Sequence, residues 1–275
     1  MYRQKHQGAA AARNAGIRNA VGRYVLFIDA DDSIAEGSLK KFLNFIRKDP
    51  KDLYFLKAEK TYPNGRSTAL EYVSETIDAC KEKLQILCYL ANLPKFPASC
   101  CTKLVKKQML VDQAIFFEEG VCSEDIFWSL RCMLCAQSYG FIGGSYYRYR
   151  QMREGSVTTY FSYQHTCDLY WAVEKGIVFA QKYEQPVRTY IFRMMAYEIG
   201  VLLLYYGRLN RSERKKLLLR LEKMSVYLNY GTRKKTKLIL FLVQTMGVNM
   251  TGKVLSGFYE RKNRLICRRE KWGNG

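Results

Sequence analysis

Two groups of carboxylates in this chain are spaced for chemistry. The first, Asp29-Ala30-Asp31-Asp32, follows directly on the apolar run Tyr24-Val25-Leu26-Phe27-Ile28. A strand ending there carries up to three carboxylates to the carboxyl edge of a sheet, where open α/β folds bind ligands. Like charges held so close repel one another, and a divalent cation removes that cost. Mg²⁺ takes one or two protein carboxylates and fills its other positions with water and phosphate oxygens, so a diphosphate ligand suits the cluster. The phosphoryl chemistry of a metal-dependent phosphatase or nucleotidyltransferase suits it as well. Without a metal, Asp32 or Ser33 reads as the cap of a helix starting near Ala35. The second group, Glu124-Asp125, follows Ser123 and by itself reads as a first-turn acidic pair with Ser123 as cap. Arg150, Arg153 and the Gly155-Ser156 turn are suited to diphosphate contacts. Arg13 lies on an Ala-rich stretch, where simple exposure is the plainer reading, as surface solvation is for Arg153.

The elements that would position these groups form an α/β pattern. A helix is expected over about 7–21, a buried strand at Tyr24 to Ile28, and a helix over about 36–48. A continuous apolar strand of this kind is expected in the middle of a sheet covered on both faces. A strand at Leu53 to Lys57, a turn at Pro63-Asn64-Gly65, helices over about 79–92 and 123–136, and a strand near Tyr146 to Tyr149 follow. Beyond them the apolar periodicity predicts several basic amphipathic helices. The chain therefore divides at about residue 160 into an α/β part and a mainly helical region over 161–275.

Composition narrows the class. Of 275 residues 48% are hydrophobic and only 5 are Pro, which excludes a disordered or collagen-like chain. The net charge of +20 is concentrated after residue 180, where 21 basic residues face 6 acidic ones. Such helices suit an anionic membrane surface, and equally a solvated bundle face. Nucleic acid is not expected, because no zinc-finger, RRM or KH signature accompanies the charge. Nine scattered Cys suit a reducing, cytoplasmic compartment, and Cys132-x-x-Cys135 reads as buried thiols rather than a zinc site. The N-terminus lacks the apolar stretch of a signal peptide. The runs Ile199 to Tyr206 and Leu238 to Val248 fall short of the ~20 residues that span a bilayer, so no transmembrane helix is expected.

Gly8-x-x-x-Ala12-Arg13-Asn14-x-Gly16-Ile17, followed by Ala20-x-Gly22-x-Tyr24-Val25-x-Phe27-Ile28-Asp29-Ala30-Asp31-Asp32, resembles the middle of a family 2 glycosyltransferase of the GT-A fold. Lys103-Leu104, Ile115-x-Phe117-x-Glu119-Gly120, Glu124-Asp125-Ile126-Phe127 and Tyr149-Arg150-Gln151-x-x-Glu154-Gly155-Ser156 are similar to that family's later blocks, in the same order. The resemblance covers residues 1–160 and implies a Rossmann-like layer ahead of the helical region. It makes Asp31 a metal ligand with Asp32 as helper, Asp29 a nucleotide or metal contact, and Asp125 the general base with Glu124 beside it. Arg13, Arg150 and Ser156 join Asp29 on the donor side. The implied cofactor is Mg²⁺ or Mn²⁺, and the implied donor a nucleotide-sugar, here a UDP-sugar. The acceptor is a polysaccharide or lipid-linked glycan at the cytoplasmic face of a membrane.

The resemblance begins in mid-domain. Members of the family open with a Val-Ser-Val-Ile-Ile-Pro-like strand and an Asp-x-Ser-x-Asp segment, which this sequence does not contain ahead of its Ala-rich helix. The difference amounts to roughly two βα units, on the order of 60 residues. The expected layer is thus an incomplete GT-A layer whose nucleoside-binding part is missing, with an open strand edge that favours aggregation. An inverting transferase, N-terminally truncated, is the first reading. An inactive remnant that binds membrane or protein through its basic tail is the alternative.

Overall fold

The computed structural model describes residues 3–5, 7–62, 65–70, 72–151 and 162–272. The run Ala9 to Ala12, built from the strongest helix former, sits inside α1 (Gly8–Asn19), which buries Ala10, Ala11, Asn14 and Ile17. β1 (Tyr24–Leu26) and the short β2 (Ser33–Ile34) flank the acidic turn. Next come α2 (Ser38–Lys48), β3 (Leu53–Thr61) and β4 (Ser67–Ala69). A 3-10 turn (Glu75–Ala79) leads to α3 (Lys83–Asn92), and then to β5 (Lys103–Lys106) and α4 (Lys107–Asp112). α5 (Glu124–Cys135) and β6 (Tyr139–Arg150) complete the layer.

The six strands form one mixed sheet in the order β1-β5-β3-β6-β2, with β4 paired to β3. β3 and β6 run parallel at its centre, and every other pairing is antiparallel. β1 therefore lies at the edge of this sheet, not in its middle as the apolar run suggested. Its side chains alternate in burial: Val25 and Phe27 point inward, and Ile28 is exposed. An apolar run states that a strand is sticky and leaves open how many neighbours it has. β6 extends well beyond the expected Tyr146 to Tyr149, because Tyr139 to Ile142 pair with Leu53 to Leu56.

Among the described residues the later elements are all helical: α6 (Tyr163–Ala180), α7 (Val187–Arg208), α8 (Arg211–Ser225), a 3-10 turn (Val226–Tyr230) and α9 (Lys234–Trp272). α8 opens with a reciprocal cap between Asn210 and Glu213. α9 is two helices meeting at Gly247, whose φ of 75° and ψ of 167° only glycine adopts readily. α7 is the central helix and buries Met194, Met195, Ile199, Leu202, Leu203 and Tyr206. One apolar cluster runs from the sheet, through Phe55, Trp128 and Leu130, into α6 and α7. The described cysteines form no disulfides, and of the Cys132-x-x-Cys135 pair Cys132 is fully buried and Cys135 half-buried.

Arg233 ties the helical region to the sheet region. Its guanidinium donates to the carbonyls of Leu93, Ala91 (3.0 Å) and Arg193 (3.1 Å) and lies over the Tyr197 ring. Two of those carbonyls end α3, where a cation is favoured. α7 and α9 cross so closely that a Cβ on Gly207 would stand 1.9 Å from the Gly252 carbonyl oxygen. Gly207→Ala should therefore lower stability by about 2 kcal/mol, since backbone cannot yield as a flexible side chain does. Gly257→Ala, with nothing within 4 Å of the new methyl, should raise stability by up to about 1 kcal/mol. Denaturant midpoints check both, and equal effects at the two glycines would refute the close crossing.

Candidate active site

Arg13 gathers the acidic groups. One face of α1 turns its guanidinium toward the carboxyl end of β1, where Nη2 donates to Asp29 Oδ1 at 3.0 Å. Nη1 donates to Glu124 Oε1 at 2.6 Å and to Asp125 Oδ1 at 3.1 Å, both in the first turn of α5. The Arg13 side chain is only 14% exposed and lies over the Phe117 ring. Burial works against its charge, but Asp125, Cys100 and Asp29 outweigh this and raise its pKa above the ordinary arginine value. Simple exposure, the plainer reading for an Arg on an Ala-rich helix, is not what this residue does.

The neighbouring Asn14 fixes the cluster's floor. Its Nδ2 donates to the Phe117 carbonyl and to Glu119 Oε1, both at 2.9 Å, while Phe117 N–H donates to Asn14 Oδ1 at 2.8 Å. Phe117 in turn stacks on Trp128 with ring centres 4.6 Å apart, and Phe27 meets both edge-on. This buried aromatic group locks α1, β1 and α5 together. Asp125 Oδ2 accepts from the Cys100 N–H at 3.2 Å, which fixes the carboxylate from its other side. Burial, reinforced by Asp125, raises the pKa of Glu124, and Arg13 partly offsets this.

Ser123 does not cap α5. It sits in the left-handed region at φ 77° and makes no side-chain cap hydrogen bond. Asp32 and Ser33 do not cap a helix near Ala35 either, because Ser33 and Ile34 form β2, and α2 starts at Ser38 behind Gly37. Asp32 instead accepts from the Tyr147 hydroxyl and from the Arg150 N–H at 2.9 Å. Burial raises its pKa, with further push from Asp31 and Asp29 against the pull of these two hydrogen bonds. Tyr147 also accepts from the Asp29 N–H at 3.4 Å, so β6 holds both ends of the acidic turn.

Of the expected site residues, Arg13, Asp29, Glu124 and Asp125 converge in one ion cluster. Asp32 and Arg150 meet a short way along the turn, Arg150 through its backbone, with Asp31 exposed between Asp29 and Asp32. Ser156 and Arg153 lie outside the described residues. Asn14, Tyr147 and the Cys100 N–H were not foreseen. Asn14 stands beside Arg13 in the block that carried the resemblance, whereas a Tyr in a Tyr-rich strand gives no signal.

Among the described residues no group of three or more His, Cys, Asp or Glu side chains is placed to hold a metal ion. Asp31, exposed on the turn, and Asp32 are the carboxylates that could give oxygens to a hard divalent cation, while Asp29 is engaged by Arg13.

Residues 1–103 match the model of glycosyl transferase family 2. The chain is similar to the minor teichoic acid biosynthesis protein GgaB of Bacillus subtilis, 28% identical over 160 residues that make up 56% of this chain and 16% of that protein. It is equally similar, at 28% over 149 residues, to the poly(ribitol-phosphate) β-N-acetylglucosaminyltransferase TarS of Staphylococcus aureus, 54% of this chain and 24% of TarS. Glycosyltransferase GlyG of Streptococcus pneumoniae is 28% identical over 189 residues, 66% of this chain and 60% of GlyG. The chain thus matches less than two thirds of each of these relatives. The crystal structure of S. aureus TarS 1-349 in complex with UDP-GlcNAc superposes on 93% of the chain and 73% of that structure, with a TM-score of 0.65 at 18% identity. The family 2 segment therefore sits in a fold shared with TarS across sheet and helices.

Proposed function

We propose that the chain is an inverting, metal-dependent glycosyltransferase, with residues 1–160 as its catalytic part and 161–275 as its helical region. The observation that carries this reading is the Arg13 cluster, which brings Asp29 at the strand end together with Glu124 and Asp125, a pair more than a hundred residues beyond Arg13. The family match and the UDP-GlcNAc bound to the TarS structure support a UDP-sugar donor. The names of the relatives, a teichoic acid biosynthesis protein and a poly(ribitol-phosphate) β-N-acetylglucosaminyltransferase, support a polymeric acceptor.

A sugar hydroxyl is a poor nucleophile near neutral pH and needs a base on one side and a stabilised leaving group on the other. In this reading Asp125, fixed by Arg13 and the Cys100 N–H, takes the proton of the acceptor hydroxyl. The acceptor oxygen forms its bond to the anomeric carbon as the bond to the donor diphosphate breaks, and one displacement inverts the centre. Asp31 and Asp32 would hold Mg²⁺ or Mn²⁺, which supplies positive charge to the departing diphosphate. Arg13, Asp29, Arg150 and Ser156 serve the donor side, and Glu124 orients Arg13.

Calorimetric titration of UDP with and without Mn²⁺ tests the donor site directly. Metal-dependent binding is expected for the native chain, and Asp31→Ala should weaken it by about tenfold or more. A folded native chain that binds no nucleoside diphosphate with Mn²⁺ would remove the transferase reading and leave the inactive remnant in its place.

A further inference from the structure

α9 turns Thr236, Val248, Thr251, Gly252 and Ser256 into the protein, all buried, and packs Ile239, Leu240, Val243 and Leu255 half-buried against the core. Large apolar side chains are nevertheless left outside: Leu238 (58% exposed), Phe241 (59%), Met246 (40%), Met250 (47%) and Phe258 (67%). Exposed apolar side chains occur on both helices of α9, with Leu238, Phe241 and Met246 before Gly247 and Met250 and Phe258 after it.

The charge around these side chains is of one sign. Exposed Lys234, Lys235 and Lys237 flank them at one end, Lys253 lies midway, and exposed Arg261 and Lys262 stand at the other end. The one acidic residue between Lys234 and Lys262 is Glu260, and it pairs with Arg208 at 3.6 Å. Basic residues around an apolar face complement anionic headgroups lying over acyl chains.

By length and composition alone Lys234–Lys262 would pass for a membrane span, its most apolar 18-residue stretch having a mean hydropathy of 1.4, but the break at Gly247 divides it into two shorter helices. Its packing argues for another placement. The seam with α7 fastens one face of the helix to the protein, and Lys253 stands exposed near mid-length. We propose that α9 lies in the plane of an anionic lipid bilayer. Leu238, Phe241, Met246, Met250 and Phe258 enter the acyl boundary, and the flanking lysines and Arg261 meet lipid phosphates. This docking face rests on α9 alone and stands whether or not the donor site works.

Vesicle flotation of the full chain tests it, with phosphatidylcholine vesicles and with vesicles containing phosphatidylglycerol, at low and high salt. Binding to the anionic vesicles should exceed binding to neutral ones by at least about tenfold at low salt and fall as salt rises. The triple variant Phe241→Ser, Met250→Ser, Phe258→Ser should lose about tenfold or more in vesicle binding while keeping the native thermal midpoint, since these side chains are largely exposed. Reversing Lys234, Lys235 and Lys237 to Glu should abolish the preference for anionic lipid. A folded native chain that ignores anionic vesicles at low salt overturns the proposal, as does a triple variant that floats like the native chain. Self-association broken by the triple variant, without any vesicle binding, would place a second copy on this face instead and equally overturn it.

Discussion

Asp125→Asn should leave UDP binding unchanged and lower sugar transfer by about 10²–10⁴-fold, the span usual for loss of a general base. The change is nearly isosteric, so the consequence is chemical. The new amide faces two donors, Arg13 Nη1 and the Cys100 N–H, and can accept from only one of them. Arg13 keeps Glu124 and Asp29, so the cluster stays assembled. Transfer to an acceptor is the readout, with calorimetry as the control for the donor site. Retention of more than a tenth of native turnover would take the base role from Asp125. Glu124→Gln is the companion variant: its carboxylate is committed to Arg13, and a loss equal to that of Asp125→Asn would make the pair a single functional unit.

The second large effect concerns stability. Glu198 in α7 is 5% exposed, and burial pushes its carboxyl up to about 8 against the pull of Arg233. The folded state therefore prefers the neutral acid, while the unfolded chain ionises near the ordinary glutamate value. Stability from this group is complete below about pH 4.5 and is lost as pH rises through about 8. The full difference corresponds to at most about 5 kcal/mol. Glu198→Gln keeps the shape and cannot ionise, so it should be the more stable protein above pH 8 and nearly equal to the native one near pH 5. Urea midpoints across this range measure it. Parallel pH profiles for the two proteins would show that Glu198 is not the titrating group. Arg233 keeps its three carbonyl acceptors in the variant, so the link between α9 and α3 is expected to survive.

Local signals were the legible ones. Ala-rich α1, the apolar run of β1 followed by Asp29 to Asp32, and the acidic start of α5 each declare themselves within a dozen residues. The resemblance then supplied the order in which they come together. What stayed hidden depends on partners far along the chain. The edge position of β1 follows from β5 pairing with it on one side and with β3 on the other, a ladder that no periodicity encodes. The three partners of Arg13 include two more than a hundred residues away, and solvent exposure is the ordinary reading of an Arg on such a helix. Tyr147 is one of several tyrosines in β6, and only the register that sets Ser33 opposite Arg148 brings its hydroxyl to Asp32. In α9 the periodicity was visible, but counting apolar residues does not say which stripe a neighbouring helix will cover. Gly207 and Gly252 decide that, because they permit a seam too tight for larger side chains.

The parallel pairing of β3 with β6 also sets a timetable for the nascent chain. Leu53 pairs with Tyr139, and β2 has its described partner only in β6. Until β6 leaves the ribosome, β3 lacks its long parallel neighbour, and the turn bearing Asp29 to Asp32 has neither Tyr147 nor Arg150 to hold it. Loop closure over so many residues comes late and costs entropy before it returns any contact. Synthesis past Arg150 is therefore the commitment point for this sheet, and ribosome stalls ahead of it expose a sticky, half-paired edge to chaperones and proteases.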